Sequence, residues 1–267
     1  GSEDIGGGLK ARFNLEGGFN SGTGAATGVL FDRTAWVGLE GSMGSLDFGR
    51  QYTVIFKTIG AYDPFNYKYT GIVPTAGMDG ARRNNEIQWG KTFGGVTARV
   101  GYALGEVAGN NSAGATTEGG LSYANGPISF GGAYGTMENA AGNLTTTNWT
   151  LGGAYNAGAF RLAAGYDLKD AEVAGTSSTE TKNWWLGGSY KMSAPTELSV
   201  AYYNTKLDAA GTAADGENKL FIVGVTYAFS KRTNFYADYD LKSLSGKSKV
   251  GTHDSQTGIS VGINHVF

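Results

Sequence analysis

Apolar and polar residues alternate along most of this 267-residue chain. Near the carboxyl end, the apolar residues Ile259, Val261, Ile263 and Phe267 alternate with the small or polar residues Ser260, Gly262 and Asn264. Because successive side chains of a strand point to opposite faces, this pattern predicts a strand with one apolar and one polar face. The same pattern predicts fourteen strands, at 9–19, 33–42, 45–53, 83–91, 95–105, 116–124, 128–136, 146–156, 159–169, 180–192, 195–206, 217–229, 231–243 and 254–267.

The two faces of these predicted strands differ in a consistent way. One face carries apolar and aromatic side chains, such as Val223, Val225 and Tyr227, and the opposite face carries polar and charged ones. An apolar face suits lipid, whereas a charged face suits a water-filled lumen. The charges assigned to the lumen by this parity include Lys10, Arg12, Glu16 and Arg99. The pattern therefore predicts an all-β fold, a transmembrane antiparallel β-barrel.

The links between the predicted strands alternate between short and long. Short links such as 124–127 and 156–158 join hairpin partners, and longer links fall between these hairpins. This alternation is typical of outer-membrane barrels. A soluble sandwich or up-and-down barrel also shows apolar and polar alternation, but with shorter strands and fewer repeats. The longest link, 54–82, is long for a simple connection and predicts a functional loop.

The composition narrows the class of protein further. The chain is 40% hydrophobic and has no run of eighteen apolar residues, which excludes a transmembrane helix. The 45 glycines and the 15 Tyr, 13 Phe and 5 Trp favour strands and turns. The chain has no cysteine, which suits the periplasm and outer membrane, and its polar first residues show no signal peptide. The net charge of -2 indicates no nucleic-acid partner.

Several segments resemble the general porins of Gram-negative bacteria, in particular those of β-proteobacteria. The matching segments are 1–11, 35–41, 48–53, 83–87 and the terminal Phe267. They are spread over the whole chain, and their order and spacing are more specific than any one of them. The resemblance implies a sixteen-stranded, trimeric channel in the outer membrane, with the third extracellular loop folded into the pore.

The number of strands differs between this chain and the family. In the family, the segment corresponding to 1–4 lies within the second strand, and about 14 strands are legible in this chain. The chain therefore resembles a family member without the usual first strand and most of the second. The alternatives are a chain that is incomplete at its start and a fourteen-stranded barrel. Pairing of 9–19 with 254–267 would indicate the second.

The resemblance also implies where the pore is narrowest. It makes 1–267 a single barrel domain with 54–82 as the pore-constricting loop. By motif, Arg50 and Arg83 match wall arginines of the family. Further constriction candidates are Arg82, Lys68 and Asp63.

Each of these candidates has an alternative interpretation. Arg50 could be a solvated arginine at the rim, and Arg82 could replace Arg83 in the pore. Lys68 could lie on the surface, and Asp63 could cap the turn at Pro64. A guanidinium stays positive, and rings of Arg and Lys suit anion pores, so we expect a preference for anions.

Enzymatic activity is not expected, because His253 and His265 are the only histidines and neither is placed as the base of a catalytic triad. No metal or cofactor is expected either, and the glycines at 6–8 indicate a tight turn rather than a phosphate loop.

The predicted function is passive diffusion of ions and small hydrophilic solutes through an outer-membrane channel of a Gram-negative bacterium. The expected partners are two further copies in a homotrimer, outer-membrane lipid and lipopolysaccharide, and these solutes. The alternative is a substrate-specific outer-membrane channel for a small organic anion, with Phe65, Tyr67 and Tyr69 as a stacking ladder.

Overall fold

The computed structural model of the protein describes residues 1–67, 80–173, 178–209 and 215–267. Within these ranges, fifteen strands form one antiparallel sheet, in which each strand pairs with its neighbours in sequence. The strands are β1 (Ser2–Gly6), β2 (Leu9–Glu16), β3 (Thr34–Gly41), β4 (Gly44–Tyr52), β5 (Arg82–Phe93), β6 (Val96–Ala103), β7 (Thr116–Asn125), β8 (Ile128–Glu138), β9 (Leu144–Ala157), β10 (Phe160–Val173), β11 (Thr179–Lys191), β12 (Thr196–Asp208), β13 (Gly216–Ala228), β14 (Thr233–Gly246) and β15 (Ser255–His265). The helix α1 (Val54–Ile59) follows β4.

The fourteen predicted strands are present as β2–β15, with ends that differ by a few residues. The alternation did not indicate β1, because its five residues are too few, although the resemblance placed the segment 1–4 within a strand. β1 pairs with β2 across a turn in which Gly6, Gly7 and Gly8 all have positive φ. Glycine adopts this backbone conformation without a steric penalty, so the predicted tight turn is confirmed.

The sheet has two free edges in the described part of the chain, at β1 and β15. β2 pairs with β1 and β3, and no ladder joins β2 to β15 among the described residues. The pairing that would close a fourteen-stranded barrel is therefore not formed.

The two faces of the sheet show the reverse of the burial found in a soluble protein. Outward side chains such as Leu121 and Leu162 are each 60% exposed, whereas inward Glu118 and Asp167 are 3% and 0% exposed. An apolar outer face and a polar interior are what a spanning strand needs between lipid and a lumen. The predicted distribution of faces is thus confirmed. Among the described residues, no helix has the length and hydropathy to cross a membrane.

The segment 53–67, here called the crossing segment, leaves β4 and folds over the inner face of the sheet. Its helix α1 packs against β6–β9. Five apolar side chains of the crossing segment are buried there, namely Val54, Ile55, Ile59, Tyr62 and Phe65. The hydrophobic core of this protein therefore lies inside the curved sheet, between the crossing segment and the wall.

Candidate channel constriction

The crossing segment begins with a helix whose start is held at two points. The hydroxyl of Thr53 accepts a hydrogen bond from the backbone N–H of Phe56 at 3.1 Å, which caps the helix. The Val54 N–H donates to Oε2 of Glu118 on β7 at 2.6 Å. A buried carboxylate at a helix start satisfies backbone donors that have no partner within the helix. These bonds turn the chain inward directly after β4.

Glycines on the inner wall make room for the aromatic rings of the crossing segment. Gly152 on β9 pairs with Gly165 on β10. A Cβ on Gly152 would lie 2.3 Å from Cδ2 of Tyr62, and one on Gly165 would lie 2.2 Å from Cζ2 of Trp185. The Tyr62 and Trp185 rings are stacked with centroids 5.9 Å apart. The two glycines therefore form a recess that only residues without a side chain can provide.

Hydrogen bonds fix Tyr62 in this recess. Its hydroxyl lies 3.0 Å from Oγ1 of Thr150, and its carbonyl accepts a bond from Nε1 of Trp185 at 3.1 Å. Burial raises the pKa of Tyr62. The ring is thus a neutral anchor with its polar groups paired, as a buried tyrosine requires.

Asp63 lies in the crossing segment but against the wall. It is 1% exposed, and its carboxylate accepts hydrogen bonds from the Tyr203 hydroxyl and the Tyr67 N–H, both at 2.7 Å. Burial raises the pKa of Asp63, while these two bonds oppose the rise. The bond from Tyr67 agrees with the turn-capping interpretation of Asp63 rather than with a carboxylate that faces the pore.

Arg161 on β10 is an anchor that the sequence analysis did not single out. Its guanidinium donates to the backbone carbonyls of Ala61, Asp63 and Pro64 at 3.1, 2.9 and 3.4 Å. Alternation along β10 places Arg161 on the inner face, but only the folded chain brings these carbonyls to it. One cation thereby holds the end of the crossing segment to the wall.

A column of stacked rings stands on the other side of the helix. The rings of Tyr52 and Phe56 are 4.7 Å apart, and those of Phe56 and Tyr67 are 4.5 Å apart. The Arg82 guanidinium covers the free face of Tyr52 at 4.3 Å from the ring centroid. The faces of these rings are thus largely occupied by each other and by one cation.

The predicted stacking ladder of Phe65, Tyr67 and Tyr69 differs from this column in its residues. Of its three members only Tyr67 belongs to the column, since Phe65 is buried next to Gly224 on β13 and Tyr69 lies outside the described residues. The constriction candidate Lys68 also lies outside the described residues.

The hydroxyl of Tyr52 joins two arginines at the long-loop end of the strands. Arg33 and Arg82 donate to it at 3.0 and 2.7 Å. Arg33 also forms an ion pair with Glu16, which the alternation predicted to face the lumen. The sequence analysis missed Arg33, although its place directly before β3 resembles that of Arg82 at the start of β5.

The two arginines that matched the family motif differ in their surroundings. Nε of Arg83 lies 3.7 Å from Oε1 of the buried Glu118, and the Arg83 side chain is 16% exposed. Its charge is therefore opposed by a carboxylate.

Arg50 pairs with Ala35, so the strand register places it on the same face as Phe48. Its guanidinium donates to the Asp32 carbonyl and to Oδ1 of Asn84, each at 2.6 Å. This geometry favours the interpretation of Arg50 as an arginine at the rim.

An open cavity of about 490 Å³ lies beside α1, at the end of the sheet with short turns. The cations along it are Arg12, Lys57, Lys91 and Arg99, and the carboxylates are Glu40 and Asp47. Arg12 forms ion pairs with Glu40 at 2.8 Å and with Asp47 at 2.5 Å. Lys10 lies opposite Glu40 in the register and shares the polar face with Arg12. We call this space the basic cavity.

A second open cavity, of about 800 Å³, lies beside residues 64–67 at the other end of the crossing segment. The charged residues along it in the described part of the chain are Lys191, Glu197 and Asp238. Carboxylates thus outnumber cations here, and we call this space the acidic cavity. Among the described residues, no group of three or more acidic or histidine side chains could hold a metal ion.

An antiparallel meander with an apolar outer face, a polar inner face and a chain segment packed inside defines an outer-membrane porin. The chain belongs to the Gram-negative porin family, which matches residues 1–247. Outer membrane porin protein 32 of Delftia acidovorans is 31% identical, over 100% of this chain and 83% of the relative. Outer membrane porin F of Escherichia coli strain K12 is 27% identical, over 96% of this chain and 77% of the relative.

Among solved structures, the anion-selective porin from Comamonas acidovorans superposes with a TM-score of 0.86 at 28% identity. The match covers 100% of this chain and 87% of that one. The family assignment confirms the predicted resemblance, the outer-membrane location in a Gram-negative bacterium, and a passive channel rather than an enzyme.

Proposed function

We propose that this porin is an anion-preferring diffusion channel for ions and small hydrophilic solutes, constricted by the loop 54–82. The observation that carries the proposal is the excess of cations beside the crossing segment. The described wall of the basic cavity has four cations and two carboxylates, although the whole chain has a net charge of -2. The porin from Comamonas acidovorans, a structural relative at 28% identity, is anion-selective, which agrees with this proposal.

The cations contribute unequally to this preference. Arg12 and Arg83 face carboxylates at ion-pair distance, which cancels most of their field in the lumen. Lys57, Arg82, Lys91 and Arg99 have no carboxylate at ion-pair distance within the described residues, so these four carry most of the effect. A unit charge at about 4 Å changes the energy of a passing ion by roughly 1–4 kcal/mol between bulk water and a protein surface. Such energies are large enough to bias permeation several-fold.

The assembly we propose is a homotrimer that is surrounded by outer-membrane lipid and lipopolysaccharide. The family resemblance supports it, and the apolar outer face of the strands is suited to lipid and to neighbouring subunits. A trimer of channels should insert into a planar bilayer in steps of three equal conductances. Single steps that never occur in threes would contradict the trimer without affecting the proposed ion preference.

The preference is tested by the reversal potential of the purified protein in a planar bilayer under a gradient of potassium chloride. We expect a reversal potential whose sign shows that chloride is more permeant than potassium. Arg82→Gln should move it towards potassium, because Arg82 lacks an opposing carboxylate in the described chain. Arg232→Gln is the matched control and should leave it nearly unchanged, since Arg232 is exposed in the turn between β13 and β14. A wild-type potential directed by potassium would overturn the proposal.

The alternative is a substrate-specific channel for a small organic anion. The observation in its favour is the column of Tyr52, Phe56 and Tyr67 beside Arg82. The ring faces are covered by each other, so a solute would meet ring edges, which weakens this alternative. A chloride current blocked by a single organic anion at micromolar concentration, and by no other, would favour it over general diffusion.

A further inference from the structure

In the described part of the chain, three cations of the basic cavity have no carboxylate at ion-pair distance, namely Lys57, Lys91 and Arg99. Of these, Lys57 and Arg99 act on each other electrostatically. In the described part of the chain, the Arg99 guanidinium makes no hydrogen bond or ion pair. The ammonium of Lys57 donates to two neutral amide oxygens, those of Gln51 and Gln88. An ammonium has three donors and a guanidinium has five, so both groups keep donors for a ligand.

Lys57 lies among charges of both signs. Burial lowers the pKa of Lys57, and the positive charges of Arg99 and Arg12 act in the same direction, against Glu86 and Asp47. Arg99 is thus close enough to affect Lys57 electrostatically. Two adjacent cations that destabilise each other are relieved by an anion between them.

The cavity also has the size and the polarity that a hydrated anion needs. It is open to solvent, and its volume of about 490 Å³ is large enough for a small oxyanion together with several water molecules. The remaining wall includes the hydroxyls of Ser42, Ser45, Thr92 and Thr97. These groups can donate to an oxyanion through water or directly.

We propose that Lys57 and Arg99 form a binding site for small oxyanions with two negative charges. The site lies on the short-turn side of the crossing segment. This inference rests on the proposed anion preference and adds a site and a ligand class to it. A divalent oxyanion engages both cations at once, whereas chloride engages one. The doubly charged ion therefore stays longer in the cavity and slows the passage of chloride.

The test is the chloride current of single channels in a planar bilayer during titration with inorganic phosphate at pH 8, where the dianion prevails. We expect a saturable decrease of the current. Lys57→Gln and Arg99→Gln should each raise the half-blocking concentration by about tenfold, the loss of one charge-assisted hydrogen bond. Lys10→Gln is the matched control, because it removes one lumen-facing cation that does not line the cavity. Its half-blocking concentration should equal that of the wild type.

The possible outcomes separate this site from the proposed function. A reversal potential directed by chloride without any phosphate block would overturn the site and leave the anion preference standing. Equal weakening by Lys10→Gln and Arg99→Gln would also overturn it, since phosphate would then respond only to the general charge of the lumen. A potential directed by potassium would overturn the proposed function itself. The conductance steps of each variant show that it has folded and inserted.

Discussion

The basic and acidic cavities border the same crossing segment, yet they differ in charge. Lys57 borders the basic cavity beside β2–β6, and residues 64–67 border the acidic cavity beside β11–β15. Among the described residues, the basic cavity has twice as many cations as carboxylates, whereas the acidic cavity has one cation, Lys191, and two carboxylates. A net charge of -2 for the whole chain therefore does not describe what an ion meets inside it. The position of each charge along the wall decides selectivity.

The crossing segment is also attached to the two sides of the wall in different ways. On β9–β13 it is held by packing and by hydrogen bonds to its backbone carbonyls, with Tyr62 in the glycine recess and Arg161 on three carbonyls. Towards β2–β6 it presents Lys57, whose contacts are amide oxygens. One side therefore fixes the position of the segment, and the other leaves charge open to the lumen.

The largest expected effect comes from reversing one charge of the basic cavity. Arg99→Glu replaces a cation without a carboxylate partner in the described chain, so the cavity changes from an excess of cations to a balance. We expect the ratio of chloride to potassium permeability to fall by about tenfold, measured as the reversal potential under a salt gradient.

Lys231→Glu is the control for this substitution. Lys231 is exposed in the turn between β13 and β14, and the same change of net charge there should have little effect. If both variants shift the potential equally, the contrast between the two cavities is not the source of selectivity.

A second prediction concerns the recess that holds the crossing segment. Gly152→Ala places a Cβ 2.3 Å from the Tyr62 ring, so the ring must move. We expect the free energy of unfolding to fall by about 1–3 kcal/mol and the open-channel noise to rise. Gly119→Ala is the matched control, since its nearest contact would lie at 4.0 Å. Thermal unfolding in detergent and single-channel recording measure the two effects, and equal stabilities would argue against a tight recess.

The smallest expected effect is a dependence of stability on pH through Asp63. Burial raises the pKa of Asp63 above its ordinary value of 3.8. The protonated form therefore favours the packed segment, so this stabilisation is fully present below pH 3.8 and is lost as the pH rises through the raised pKa. Asp63→Asn stays uncharged at every pH.

The measurement is the thermal midpoint of both proteins at a series of pH values. The wild type should lose about 1–3 °C relative to Asp63→Asn as the pH rises from 3 to 8. Titratable groups that both proteins share affect both thermal midpoints equally, so their effect cancels in the difference between the two. A difference that stays constant over the whole range would show that the Asp63 carboxylate is not penalised by its burial.

The strands of this protein could be predicted from the sequence because the alternation that indicates them is a local property. A period of two in polarity is visible in Ile259, Val261 and Ile263 without any knowledge of the partner strands, and β15 lies there. The inward direction of Arg12, Arg99 and Arg161 follows from the same rule. The five-residue β1 shows too little alternation to be predicted in this way, and only the resemblance placed the segment 1–4 in a strand.

For the constriction candidates, alternation and motif indicate a direction, but they do not give the height of a side chain along the pore or its partners. Arg50 matched a family motif, yet a register that only the paired strands define sets it opposite Ala35. Asp63 could be read as a turn residue or as a pore carboxylate, and the burial by Tyr203 and Tyr67 decides between them. No local signal pointed to Lys57 as a neighbour of Arg99.

The sequence alone determined the strands, the faces they turn to lipid and lumen, and the class of protein, since these follow from interactions between near neighbours in the chain. The tertiary structure alone decided which charges oppose one another and which stay open. Glu118 neutralises Arg83 although the two residues are 35 positions apart, and Trp185 meets Tyr62 across 123 positions. Electrostatic and packing energies depend on distance in space, and an alternating pattern contains no information about that distance across a curved sheet.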